Sequence, residues 1–442
     1  MLPSRRVLVP ALVLAASTFV RGASADPLTD AERTERCARI RDVAADNGIS
    51  AGYLLAGIAQ AETSLSHCWE ELSWACQGPD SPDCAGPVVA GAGDGPCSLM
   101  EGGLGMFQFD GGTFDETIER DGDGVLLLAG NVTRAIDFVV NMVIGSQYVD
   151  VDTPEEAKAW LNTVTVDGPE WDAWIKTVTH YYNGCVPGSC GVYEQRYQHY
   201  SDAGTTVFDE QGPAFWVVDI PPCAPIPAEG RLLEETDTCF TKGGPLTTWR
   251  VGIGGESNLH VWTGTIDSTD PVNFAEWSLS FDEEGLYRVE VSVPKGTTPQ
   301  ASYLVEHAGE VTTVALDQSA AADGFVELGS FEFDTGVGQR VYLGDNTGDA
   351  ESRRLSVDSL RLTRLDGDGG GAPTGPGSTS TGGADEEGGG GGGAGGGAGF
   401  DSDGEDDGCG CTVAAAEDGI DLRSFGYLSV VGLAALRRRR RG

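Results

Sequence analysis

Residues 50 to 65 read SAGYLLAGIAQAETSL, and their spacing decides what the first half of the chain is. Leu54, Leu55, Ile58 and Leu65 recur at intervals of three, four and seven, which lines up one face of an α-helix. Ser50 is the expected N-cap, because a hydroxyl there can accept a backbone N–H of the first turn. The position that completes the apolar stripe is Glu62. Burial disfavours the charged form of a carboxylate, so a glutamate on this face has a raised pKa, as a general acid working near neutral pH requires. The competing reading is a glutamate at the stripe edge that reaches solvent or pairs with a helix end, and periodicity alone leaves both open.

Working outward, the segment from 26 to 210 carries further helical signals. Asp30 can cap a helix whose apolar positions are Cys37, Ile40, Val43 and Ala44, and Gly48 ends it. Helices are also expected over Thr133–Ser146, with Ala135, Phe138, Val139, Met142 and Val143 on one face, and over Pro154–Val164. Residues 211–230 hold Pro213, Pro221, Pro222, Pro225 and Pro227, a composition that does not continue a helix and reads as a linker. From 231 to 365 the period changes to two. Tyr287, Val289, Val291 and Val293 alternate with polar residues, and short strands are expected at Ser302–Glu306, Thr312–Leu316, Val326–Phe333 and Arg340–Leu343. A phase shift between Val357 and Leu360 reads as a bulge. The fold class is therefore multidomain α + β: a mainly α domain, then an antiparallel, jelly-roll-like β-sandwich.

The two ends have a different character. Arg5 and Arg6, the apolar run Val7–Val20 and Ala23-Ser24-Ala25 make residues 1–25 a secretory signal peptide. Residues 366–408, dominated by Gly and acidic residues, form a flexible stalk that cannot bury a core. Residues 409–442 hold Cys409 and Cys411, the apolar stretch Phe425–Leu436 and the basic run Arg437–Arg441. This order resembles the C-terminal sorting tail of myxobacterial surface proteins, which directs processing and retention at the cell surface. The expected location is exported, at the cell surface or outer membrane, with the tail as the contact to the envelope membrane. The apolar stretch is shorter than the roughly 17 residues a spanning helix needs.

The formal net charge of −40 excludes nucleic acid as a partner, since phosphate contacts need Lys and Arg. Eleven Cys behind a signal peptide point to an oxidising compartment. Without Cys409 and Cys411 the number is odd, so at least one of the remaining Cys is unpaired within the chain. Cys185 and Cys190 are close enough to close a small loop, which outweighs a thiol nucleophile at Cys185 beside His180. No CxxC pair is present and His is scarce, so no metal site or cofactor is read. Asp121-Gly122-Asp123-Gly124 lacks the later ligands of a calcium loop and reads as a turn.

Leu54-Leu55-Ala56-Gly57-Ile58-Ala59-Gln60-Ala61-Glu62-Thr63 resembles the catalytic helix of the lysozyme-like lytic transglycosylases, which ends in Glu-Ser. Gly103-Leu104-Gly105-Met106-Phe107-Gln108 resembles that family's Gly-Leu-Met-Gln segment, and Tyr181-Tyr182-Asn183-Gly184 its Ala-Tyr-Asn-Ala-Gly segment. The three occur in the family's order. The departures are Thr63 in place of Ser and a Cys-rich insertion from about His67 to Leu99. The resemblance implies a lysozyme-like domain with Glu62 as catalytic residue and Thr63, Met106, Gln108, Tyr182 and Asn183 toward the substrate, which is the peptidoglycan glycan strand. The implied reaction cleaves the bond between N-acetylmuramic acid and N-acetylglucosamine and leaves a 1,6-anhydro end. A hydrolase would use a second carboxylate. Glu70, Glu71, Glu101 and Asp110 are near enough in sequence, and a non-catalytic glycan-binding surface protein is the remaining alternative.

Residues 231–365 resemble the golvesin-like, carbohydrate-binding-like β-sandwich domain through Asp237, Phe240 and Trp249, Ala275-Glu276-Trp277, Gly285–Val289, Ala301–His307, Leu328-Gly329, Phe331, Phe333 and Val357–Leu362. These positions identify a fold better than a ligand. Trp249, Trp262 and Trp277 are either core residues or platforms for envelope carbohydrate.

Overall fold

The computed structural model describes residues 28–68, 71, 83–84, 103–321 and 324–365. The expected signal peptide at 1–25, the expected stalk and sorting tail beyond 365, and most of the Cys-rich insertion lie outside the described residues.

Helix α1 (Asp30–Asp46) is capped by Thr29 and not by Asp30. The Thr29 hydroxyl accepts the Glu32 N–H, and the Glu32 carboxylate accepts the Thr29 N–H, a reciprocal pair that leaves Asp30 in the first turn. Helix α2 (Tyr53–Thr63) begins after Gly52 and not at Ser50. Ser50 is used tertiarily instead, donating its N–H and its hydroxyl to Asn162 Oδ1 at 2.8 and 3.1 Å. Then come α3 (Phe114–Asp121), α4 (Leu128–Gly145), α5 (Pro154–Leu161), α6 (Trp171–Thr177), α7 (Tyr193–Gln211) and the single turn α8 (Pro213–Trp216). Leu54, Leu55 and Ile58 of α2 are buried, so the apolar stripe does face the core. Gly57 makes the closest approach to α7: a Cβ there would lie 2.8 Å from the Gly204 Cα, and only glycine lets the two helices meet at that distance.

Among the described residues twelve strands follow: β1 (Gly230–Leu233), β2 (Phe240–Gly243), β3 (Arg250–Ile253), β4 (Leu259–Gly264), β5 (Phe274–Phe281), β6 (Gly285–Ser292), β7 (Ala301–His307), β8 (Glu310–Leu316), β9 (Phe325–Phe333), β10 (Gly336–Gly344), β11 (Arg354–Val357) and β12 (Leu360–Arg364). They pair antiparallel in three sheets, ordered β1-β12-β6-β9, β2-β5-β10-β7-β8 and β11-β4-β3. Tyr287, Val289 and Val291 point inward from β6, and Phe281, Tyr287 and Phe333 stack between the first two sheets. The shift at Val357–Leu360 is not a bulge. Val357 ends a strand paired with β4, and Leu360 starts one paired with β1 and β6, so Asp358 and Ser359 carry the chain from one sheet to another. Register shifts lie elsewhere, in the β6–β9 pairing at Val289/Glu290 and in the β5–β10 pairing at Gly336/Gln339.

The proline-rich stretch is pinned along its length. Trp216 packs edge-on against Tyr53, Cys223 is bonded to Cys239, and Ile226 is buried beside Phe281. Helices and sandwich also dock directly. Arg134 of α4 holds the buried Asp121 at 2.9 Å and donates to the Leu246 carbonyl, while Lys242 of β2 pairs with Asp137 at 2.7 Å. The Asp121–Gly124 turn is part of this contact: Asp123 accepts the Ile253 N–H and the Lys295 ammonium. Buried, hydrogen-bonded ion pairs fix orientation better than they add stability. Cys68–Cys84 and Cys185–Cys190 complete the disulfides among the described residues, and Cys37 is free and fully buried, its thiol pushed up to about 12 by burial. No helix among the described residues is long and apolar enough to cross a membrane.

Candidate active site

Glu62 sits in the last turn of α2, where the chain reverses through two left-handed residues, Ser64 (φ 53°) and Leu65 (φ 68°). The Leu65 N–H bonds back to the Ala59 carbonyl and the Ser64 N–H to that of Gln60, which closes the helix without a glycine. A carboxylate at this end faces the negative pole of the helix, and α2 has no basic residue in its last turn. The Glu62 side chain is half-buried and accepts a short hydrogen bond from the Tyr200 hydroxyl of α7. Burial raises its pKa above the ordinary carboxylate value, more than the Tyr200 bond and the nearby His199 and Arg196 lower it.

The three sequence segments meet around this carboxyl. Asn183 lies beside the Tyr200 hydroxyl and acts to lower its pKa, against the larger rise caused by burial and Glu62. Tyr182 donates to the Phe107 carbonyl and packs edge-on against Phe138. Thr63 donates to the Met106 carbonyl, 3.2 Å away. A closed chain of contacts thus runs from Glu62 through Tyr200, Asn183, Tyr182 and the 103–109 loop back to Thr63. Tyr181, Tyr182 and His180 lie on a π-helical turn, Val178–Tyr182, whose Asn183 N–H reaches back five residues to the Val178 carbonyl. Such a turn widens the helix and swings consecutive side chains to one side.

Not every expected residue faces open space. Thr63 and Met106 are 1% and 0% exposed, so both position the loop against α2. Gln108 is half-buried at φ 51°, and its amide nitrogen donates to the Gly103 and Gly105 carbonyls at 3.3 and 3.0 Å, closing its own turn. Of the proposed second carboxylates, Glu71 is paired with Arg36 and accepts the His67 and Cys68 N–H groups, and Asp110 is exposed and caps its own turn at Gly112. Glu70 and Glu101 lie outside the described residues.

Two residues that the sequence reading passes over are central. Tyr200 is the direct partner of Glu62; its spacing from Tyr193 and Tyr197 on α7 (i, i+4, i+7) was the available signal. Asn131 of α4 is fully buried and clamps the loop, accepting the Phe107 N–H and donating to the Leu104 and Val125 carbonyls. Beside it His67 is enclosed and held near pKa 3 by burial, therefore neutral. At the outer edge, His180 stacks on Tyr181 at 4.1 Å, with Tyr148 edge-on to both.

In the sandwich, the three tryptophans offer no free platform. Trp249 and Trp277 are core residues, and Trp262 is covered by Arg250 and Arg354, whose guanidinium carbons lie 4.9 and 4.1 Å from its ring centre.

Residues 246–364 match the model of the Golvesin C-terminal domain. No curated protein matches the chain. Solved structures similar to it include a Paenibacillus xanthan lyase (16% identity, TM-score 0.27, 31% of this chain and 13% of that one) and a Podospora anserina GH26-CBM35 β-(1,4)-mannanase (19%, 0.22, 34% and 29%). A family 35 carbohydrate binding module from Clostridium thermocellum is similar over its whole length (12%, 0.23, 31% of this chain and 100% of that one). The chain thus spans 13% of the xanthan lyase and 29% of the mannanase.

Proposed function

We propose that the helical part cleaves peptidoglycan glycan strands as a lytic transglycosylase, with the sandwich as a carbohydrate-holding partner, and that the chain works exported at the cell surface. The observation that carries the reading is the Glu62 carboxyl: pKa raised by burial, one oxygen fixed by Tyr200, and all three family-like segments tied around it. The Golvesin-domain match supports a glycan-associated role for the sandwich.

In this mechanism protonated Glu62 gives its proton to the glycosidic oxygen between N-acetylmuramic acid and N-acetylglucosamine, and the bond from that oxygen to the muramic C1 breaks. The Glu62 carboxylate then takes the proton of the muramic 6-hydroxyl as its oxygen bonds to C1, which forms the 1,6-anhydro ring and restores the acid. No water is consumed, and no second carboxylate is required. The Tyr200 hydroxyl donates to a Glu62 oxygen and so orients the carboxyl that moves the proton.

The test is digestion of purified peptidoglycan by the full-length chain, with mass analysis of the fragments. Anhydro ends support the proposal; reducing ends replace it with hydrolysis. Binding without release, in a protein whose thermal unfolding shows it folded, replaces it with a glycan-binding surface protein.

A further inference from the structure

Cations are scarce in this chain, 28 Lys and Arg against 68 Asp and Glu, and most arginines among the described residues are tied to a carboxylate. Two that are not stand together on one face of the β11-β4-β3 sheet. Arg250 of β3 is the register partner of Trp262 on β4, and Arg354 of β11 pairs with Gly264, two residues further along β4. Their guanidinium carbons lie 4.9 and 4.1 Å from the Trp262 ring centre. Arg250 donates to the Glu119 and Thr248 carbonyls at 2.8 and 2.9 Å, so its charge is anchored but not neutralised. The Arg354 guanidinium has no hydrogen bond or ion pair among the described residues, and its nearness to Arg250 is a repulsion between like charges. The carboxylates close by are engaged, Asp123 by Lys295 and the Ile253 N–H, Asp121 by Arg120 and Arg134. The Trp262 N–H is enclosed without an acceptor among the described residues, so donors outnumber acceptors in the cluster. All three side chains are only partly buried.

We propose that Arg250 and Arg354, over Trp262, bind a carboxylate group of the peptidoglycan strand. The inference rests on the reading of this chain as a protein that acts on peptidoglycan. A guanidinium presents its N–H groups as a planar fork that matches a carboxylate, and two forks beside one indole suit an oxyanion better than a neutral sugar. On the strand that oxyanion is the lactyl carboxylate of muramic acid, free where the stem peptide has been removed, or the terminal carboxylate of a stem peptide. The cluster also lies at a joint, since Arg250 is held by a carbonyl in the last turn of α3. A strand gripped here therefore meets the sandwich next to the helical part. In a protein of formal charge −40, which repels anionic polymers at long range, the cluster is a local point of attraction.

Full-length Glu62→Gln protein, chosen to leave strands uncleaved, is titrated by calorimetry with three probes: strands carrying stem peptides, strands stripped of them, and stripped strands whose carboxylates have been amidated. Amidation is expected to weaken binding about tenfold. Adding Arg354→Gln weakens the unamidated strands by the same factor and makes amidation irrelevant, whereas Arg354→Lys in its place recovers part of the affinity, keeping the charge without the fork. Lys176→Gln, which removes a cation on α6, changes nothing. The tighter of the two unamidated probes names the source of the carboxylate. Equal affinity for amidated and unamidated strands overturns the proposal, as does failure to bind any strand. So does discrimination that survives Arg354→Gln in a protein whose thermal unfolding is unchanged. Cleavage by the wild type is read separately: discrimination without cleavage keeps this site and removes the transglycosylase, and cleavage without discrimination does the reverse.

Discussion

The helical part and the sandwich each bury a carboxyl next to a second polar group, and they do so in opposite ways. Glu62 meets a neutral phenol, Tyr200, which donates to it, while His199 and Arg196 stand nearby. Glu235 meets another carboxylate, Asp358, with Glu234 beside it. Burial raises the pKa of both, but the neighbours push Glu62 back down and Glu235 further up. One environment leaves an acid able to lose its proton and recover it. The other leaves a group that keeps its proton, which is of use for structure and of none for turnover.

The largest effect tests the first half of that contrast. Glu62→Gln keeps the shape and removes the titrating proton, and the expected loss of glycan release is about a thousandfold. Because the folded pKa of Glu62 lies above its unfolded one, its stabilising contribution is present at low pH and disappears as pH rises through the folded value. The same variant is therefore more stable than wild type at pH 7 and equal to it near pH 4, read by thermal unfolding. A variant that retains release would assign the chemistry to another group.

Next in size is the joint between the two regions. Arg134→Ala removes a guanidinium that holds the buried Asp121 and the Leu246 carbonyl, at an expected cost of about 3 kcal/mol. If helices and sandwich stand or fall together, the loss appears as one unfolding transition moved down. Two transitions, with only one displaced, would show regions that unfold independently.

The third effect isolates the phenol. Tyr200→Phe removes a bond that lowers the Glu62 pKa, so the alkaline limb of the pH–rate profile moves to higher pH while the maximal rate falls about tenfold. A rate loss with an unmoved limb would make Tyr200 a packing residue only.

Legibility from sequence followed the same division. The α2 stripe, the β6 alternation and the switch from helical to strand period were readable because each depends on local spacing. The caps of α1 and α2 were misplaced because a neighbouring residue competed: Thr29 had Glu32 three positions on, and Ser50 was drawn off by Asn162 from 112 residues away. The phase shift at Asp358 was visible, but its cause was not, since a bulge and a change of sheet look alike in one strand. Glu62 stood out as a charge on an apolar stripe. Glu235 did not, because an acidic pair after a strand is ordinary until the fold brings Asp358 beside it. Tyr200 escaped for the same reason, being 138 residues from its partner.

The smallest effect concerns the sandwich carboxyls. Glu235 is buried among like charges, so its folded pKa lies well above the unfolded one. Its proton is kept in the folded chain and lost from the unfolded chain as pH rises past the ordinary carboxyl range, and the stability of the protein falls accordingly. Glu235→Gln does not titrate. Its Tm exceeds that of wild type by roughly 2 °C at pH 8 and matches it near pH 4, for a protein in which about 1 kcal/mol moves Tm by a few degrees. A Glu235→Gln protein less stable than wild type at every pH would place the side chain in packing and remove the contrast.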